Sequence, residues 1–85
     1  SVLPTGKSLN IGNNIYKYGN QFAVQVASFR SISISENEAG KYRNKGYNAF
    51  VETAEIPERG VWYRVRVGNF STKEEAQTFV NKNIR

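Results

Sequence analysis

Eighty-five residues with a formal net charge of +5 describe one small basic domain whose partner is more readily anionic than cationic. The chain has no cysteine, which excludes disulfides and thiol chemistry, and no histidine, which removes the commonest general base, metal ligand and pH switch. No apolar run approaches the ~18 residues of a membrane span. Nucleic acid, anionic lipid and acidic polysaccharide stay open as ligands.

No signal-peptide pattern opens the chain, and residues 1–6 read as internal to a longer protein. Residues 1–20, rich in Gly, Asn and Ser, read as a linker or N-terminal arm, with the domain proper over 21–85. Ile15, Tyr16, Lys17 and Tyr18 interrupt the arm with a strand-like patch expected to pack on the domain. Residues 22–29 are the first clear strand, with Val24 and Val26 on one face and Gln25 on the other. A polar loop over 31–35 follows. The pair Ser35 and Glu38 predicts a capping box for a helix running to about Lys45, with Ser33 and Glu36 as the competing register. Ala39 and Tyr42 mark its apolar face, and Gly46 suits the position that ends it. Residues 47–52 form a second strand with Ala49 and Val51 inward and Phe50 outward; Pro57 and Gly60 mark a turn. Residues 61–67 alternate cleanly: Val61, Tyr63, Val65 and Val67 on one face, Trp62, Arg64 and Arg66 on the other. Ser71 with Glu74 predicts the cap of a second helix that turns Ala76, Phe79 and Val80 inward.

An internal repeat organises these elements. Val24-Gln25-Val26-Ala27-Ser28-Phe29 matches Val65-Arg66-Val67-Gly68-Asn69-Phe70, and each copy leads to a Glu-Ala pair, Glu38-Ala39 and Glu75-Ala76. Two strand–helix units and an added strand predict an α+β fold of split βαβ type (β-α-β-β-α-β, ferredoxin- or RNP-like), antiparallel, with both helices on one face. The last strand is short or missing, because only residues 81–85 follow the helix and Ile84 is their one apolar residue. A cut chain, or the 15–18 patch filling that edge, are the other two ways to account for it. The valines and Tyr63 face the helices, which leaves Gln25, Trp62, Arg64, Arg66 and Phe50 on an open sheet face. There Trp62 offers a stacking surface, Gln25 a donor and an acceptor, and the arginines bidentate pairing with carboxylate or phosphate. Taken singly, Gln25 or the arginines are what any solvated strand face carries; their company on one face gives them weight.

The pattern Phe22-Ala-Val-Gln25-Val-Ala-Ser28-Phe29, then Gly46-x-x-Ala49-x-Val51, then Trp62-Tyr-Arg64-Val-Arg-Val-Gly68-x-Phe70, then Glu75-Ala76, resembles the SPOR domain family over about residues 21–82. The resemblance implies a monomeric, non-catalytic module that binds peptidoglycan, preferring glycan strands stripped of stem peptides. It also implies a parent cell-wall or division protein, such as an amidase or lytic transglycosylase, held in the bacterial envelope at the septum. It places the binding positions at Gln25, Ser28, Trp62 and Arg64, with Phe50 and Arg66 as secondary candidates. Ser28 enters only through the resemblance; its position alone marks a strand end.

Other functions fare less well. A single-stranded RNA-binding module shares the topology and the basic charge, but it needs stacking rings on both central strands and a glycine-bearing motif on the third. Residues 61–67 lack these, so nucleic acid is not the expected partner. Glycoside cleavage needs two poised carboxylates, whereas Glu52, Glu55 and Glu58 read as solvated surface charge. No histidine-based triad, cofactor motif or metal-ligand cluster exists in the sequence. Pairing of a partner with the sheet edge is a third possibility, which nothing in the residues singles out.

Overall fold

The computed structural model describes residues 7–83; residues 1–6, Ile84 and Arg85 lie outside them. Seven elements follow in order: β1 (Leu9–Asn10), β2 (Ile15–Tyr18), β3 (Gln21–Phe29), α1 (Ile32–Asn44), β4 (Asn48–Ile56), β5 (Gly60–Phe70) and α2 (Lys73–Asn83). The strands form one antiparallel sheet in the order β1-β2-β3-β5-β4. Both helices cover the same face. Ala39 of α1 and Ala76, Phe79 and Val80 of α2 share one core with Val24, Ala49, Val65 and Val67. This is the α+β, RNP-like arrangement predicted from the repeat, with β3 and β5 as central partners.

Among the described residues no strand follows α2. The edge of β3 where a closing strand belongs is taken instead by β2, with Ile15 opposite Val24 and Tyr16 opposite Ala23. Ile15 drops into the core, fully buried. Strand alternation then turns the neighbouring Tyr16 to the other face.

Both helix starts differ from the predicted registers. In α1 the cap is Ser31, whose Oγ accepts from the Ile34 N–H at 3.3 Å. Ser35 lies inside the first turn instead, fully buried, its hydroxyl donating to the Ser31 carbonyl at 2.9 Å. Ser35 and Ala39 stand one helical turn apart on the buried face. Their small size lets α1 lie close to the sheet, and that packing overrides the local capping pattern. In α2 the box is Thr72 with Glu75. Thr72 Oγ1 accepts from the Glu75 N–H at 3.1 Å, and the Glu75 carboxylate accepts from the N–H groups of Thr72 and Ser71. At the far end of α1, Gly46 ends the helix as predicted. Its φ is 94°, and the N–H groups of Gly46 and Tyr47 close back on the carbonyls of Arg43 and Tyr42.

Two bulges break the β3–β5 ladder. Gln25 pairs with Arg66 and Ala27 with Val65, so β3 advances two residues while β5 advances one, and Val26 is the extra residue. The other bulge lies on β5, where Gly68 and Asn69 together oppose Ala23.

Candidate functional site

The sheet face away from the helices is laid out by the pairings of β5. Gln25, Arg66 and Phe50 form one row across the strands, and Ser28, Arg64 and Glu52 the next. Trp62, opposite Ala54, begins a third. Gln25 and Ser28 are three residues apart, so strict alternation would send them to opposite faces. The Val26 bulge resets the alternation and brings the Ser28 hydroxyl out, exposed, beside Arg64.

Half of this face is covered, which corrects the expectation of an open surface. Arg66 is 1% exposed and Phe50 8%. Both point outward as parity demands, yet neither is free to meet a ligand. The cover comes from β2 and the residue before β1. The Tyr18 ring meets Phe50 edge-on with centroids 6.1 Å apart, and the Arg66 guanidinium carbon lies 3.8 Å from the centre of the Tyr16 ring. Tyr18, Ala23 and Phe50 thus make a second small core under Tyr16. For β2 to reach Phe50 on β4 across two intervening strands, each spaced about 4.8 Å from the next, the sheet must curl toward this face. The two bulges supply that curl.

Arg66 is the hub of the covered half. Its Nη1 donates to Glu52 Oε2 at 2.9 Å, to Ser8 Oγ at 3.1 Å and to the Tyr18 hydroxyl. The Tyr18 hydroxyl donates in turn to Glu52 Oε1 at 2.8 Å. Glu52, read from the sequence as solvated charge, is therefore bound through both oxygens. Burial, assisted by Glu52 and opposed by Arg66, raises the Tyr18 pKa above its ordinary value of 10.0. A buried arginine left alone would be prohibitively costly; this one is paired and hydrogen-bonded on every side.

The same guanidinium sets the chemistry of Gln25. Nε and Nη2 of Arg66 donate to Gln25 Oε1 at 3.3 and 3.2 Å. A guanidinium has donors only, so the amide oxygen must face it and the amide NH2 is turned away. Gln25, half-buried, thus meets anything on the sheet as a donor.

The other half of the face stays available. Arg64 is half-buried and forms no ion pair with any described residue. Its cross-strand neighbour Glu52 is the nearest candidate partner by register, and Arg66 and Tyr18 hold it. Trp62 is half-buried, with the Arg30 guanidinium carbon 5.1 Å from its ring centre. By register and parity Gln25, Ser28, Arg64 and Trp62 share the outward face, on which Phe50 and Arg66 are covered. Sequence reasoning gave Glu52, Tyr16, Tyr18 and Arg30 no role on this face. The first three had a signal: Glu52 shares outward parity with Phe50, and Tyr16 and Tyr18 alternate within the strand-like patch. Among the described residues no acidic cluster is placed to hold a metal ion, and no ligand-sized cavity is enclosed. The surface suits a ligand laid across it.

Comparison with known proteins agrees with this geometry. The model of the SPOR domain matches residues 18–84. An uncharacterized protein of Haemophilus influenzae is 34% identical over 64 residues, which cover 75% of this chain and 28% of that protein. The chain therefore spans under a third of the length of this relative. No solved structure matches. With the family model covering most of the chain, and the sheet, helices and outer face arranged as described, the protein belongs to the SPOR domain family of non-catalytic, peptidoglycan-binding modules of the cell envelope.

Proposed function

We propose that the available half of the outer face binds glycan strands stripped of stem peptides, and that this binding carries a longer host protein to the division septum. The supporting observation is Arg64: a cation on the sheet surface whose nearest acidic neighbour by register is already held by Arg66. Removing a stem peptide frees the lactyl carboxylate of N-acetylmuramic acid, so each such sugar gains a negative charge. Arg64 pairs with that carboxylate, and Ser28, opposite it on β3, adds a hydroxyl. The Gln25 NH2 donates to an acetamido carbonyl or a ring hydroxyl. A sugar ring packs on Trp62, an aromatic contact worth on the order of 1 kcal/mol beyond area burial. A strand that still carries its peptides presents an amide at that point, which removes the charge and adds bulk above the sheet. The module acts as a monomer, with host activity supplied elsewhere in the parent chain.

The test is binding to sacculi before and after amidase treatment. Wild type binds the treated wall more tightly. Arg64→Ala loses at least tenfold of its affinity for denuded glycan, the scale of one charge-assisted pair, and little for neutral chitin oligomers. Equal losses on both ligands refute charge reading at Arg64. Septal localisation of a fluorescent fusion, lost with the same substitution, tests the targeting step.

A further inference from the structure

Arg30 follows β3 directly, and the pairing of Phe29 with Tyr63 places it beside Trp62 on the outer face, in the third row. It is exposed, and its guanidinium carbon sits 5.1 Å from the centre of the Trp62 ring. No described residue forms an ion pair or hydrogen bond with it. A Cβ added at Gly60 would come within 3.2 Å of Arg30 Nη2, so the guanidinium also lies close to that glycine. Trp62 Nε1 is buried and has no hydrogen-bond partner among the described residues. An arginine carries donors only and cannot satisfy that N–H.

We propose that Arg30 is a second anion subsite, parked on Trp62 in the free protein and drawn off it by a second carboxylate of an acidic glycan. This inference rests on the glycan reading given above for Arg64. Arg30 and Arg64 stand diagonally on adjacent strands, with Cα atoms about 7–8 Å apart. Two long side chains rooted that way splay to meet carboxylates on successive N-acetylmuramic acid units. An exposed cation–π contact is weaker than a bidentate carboxylate pair, so an acidic ligand outcompetes the ring for Arg30. Once Arg30 leaves, the ring face is free for a sugar. Charge reading and ring stacking are thereby coupled: a neutral sugar has to displace Arg30 without compensation, whereas an acidic one is compensated by pairing with it.

Trp62 is the single tryptophan of the chain, which makes its fluorescence a direct readout. The experiment titrates wild type and Arg30→Gln with a denuded tetrasaccharide bearing two lactyl carboxylates and with chitotetraose, its neutral counterpart. Arg30→Gln is expected to bind the acidic tetrasaccharide at least fivefold more weakly and chitotetraose as well as, or better than, wild type. The emission of free Arg30→Gln already differs from that of free wild type, and the acidic ligand changes it less. Equal weakening for both ligands, or no change for either, overturns the Arg30 subsite. If instead wild type itself binds the acidic tetrasaccharide no better than chitotetraose, the glycan reading at Arg64 fails, and the subsite falls with it.

Discussion

Arg64 and Arg66 stand two residues apart on β5, on the same face of the same strand, with opposite fates. Arg66 is buried under Tyr16, ion-paired to Glu52 and hydrogen-bonded to Gln25, Tyr18 and Ser8. Arg64 has no ion pair among the described residues and lies open beside the exposed Ser28. The two halves of the face divide the labour accordingly. The covered half ties the N-terminal strands to the sheet and orients Gln25; the open half is left with a charge to spare. Alternation along a strand assigns a face, but which outward residue stays in solvent depends on what lies above it.

Substituting each arginine by methionine is the sharpest way to break this contrast. Arg66→Met leaves Glu52 and Gln25 Oε1 without their buried partner. It should destabilise the fold by about 3 kcal/mol, the lower end for a broken buried pair because Glu52 is partly solvated. Arg64→Met should shift stability by no more than ~0.5 kcal/mol, as at an ordinary surface site. Urea denaturation midpoints compare them directly, and equal midpoints would mean that the two halves do not differ.

Gln25 joins the halves, and Gln25→Glu sharpens its role. A glutamate still accepts from Arg66, so the midpoint is retained or raised. It has no NH2 to offer and repels an acidic ligand. Affinity for denuded glycan should fall roughly tenfold, the scale of one lost hydrogen bond with added repulsion. Unchanged affinity would show that the donor assigned to Gln25 is not used.

The smallest expected effect comes from alkali. Burial raises the Tyr18 pKa above 10.0 in the folded protein, and burial raises that of Tyr42 as well. With the folded value above the unfolded one, the stability tied to these protons is complete below the unfolded value and is lost as pH rises through the folded value. Denaturation midpoints taken from neutrality to above pH 10.0 should fall in wild type and fall less steeply in Tyr18→Phe. Parallel curves would remove Tyr18 from the covered network's response to pH.

Much of this was legible in the residues. The repeat of Val24–Phe29 in Val65–Phe70 carried the topology, and the clean alternation over 61–67 placed Trp62, Arg64 and Arg66 on one face. The helix starts were displaced because Ser35 serves packing against the sheet, and Thr72, next to Ser71, offers an equally good cap. Ser28 could not be assigned by alternation, since one extra residue at Val26 reverses the parity after it. That bulge is what brings Ser28 onto the face that Gln25, Trp62 and Arg64 already share.

Local rules, acting between residues a few positions apart, were enough for strands, helices and faces, because periods of two and 3.6 are imposed by backbone geometry. They were not enough to say that Tyr16 and Tyr18 roof Arg66 and Phe50, or that Glu52 is drawn away from Arg64. Those outcomes rest on contacts between residues 14 to 58 positions apart in the chain, such as Arg66 with Glu52 and with Ser8. Burial and charge pairing at that range are decided only when the sheet closes and curls.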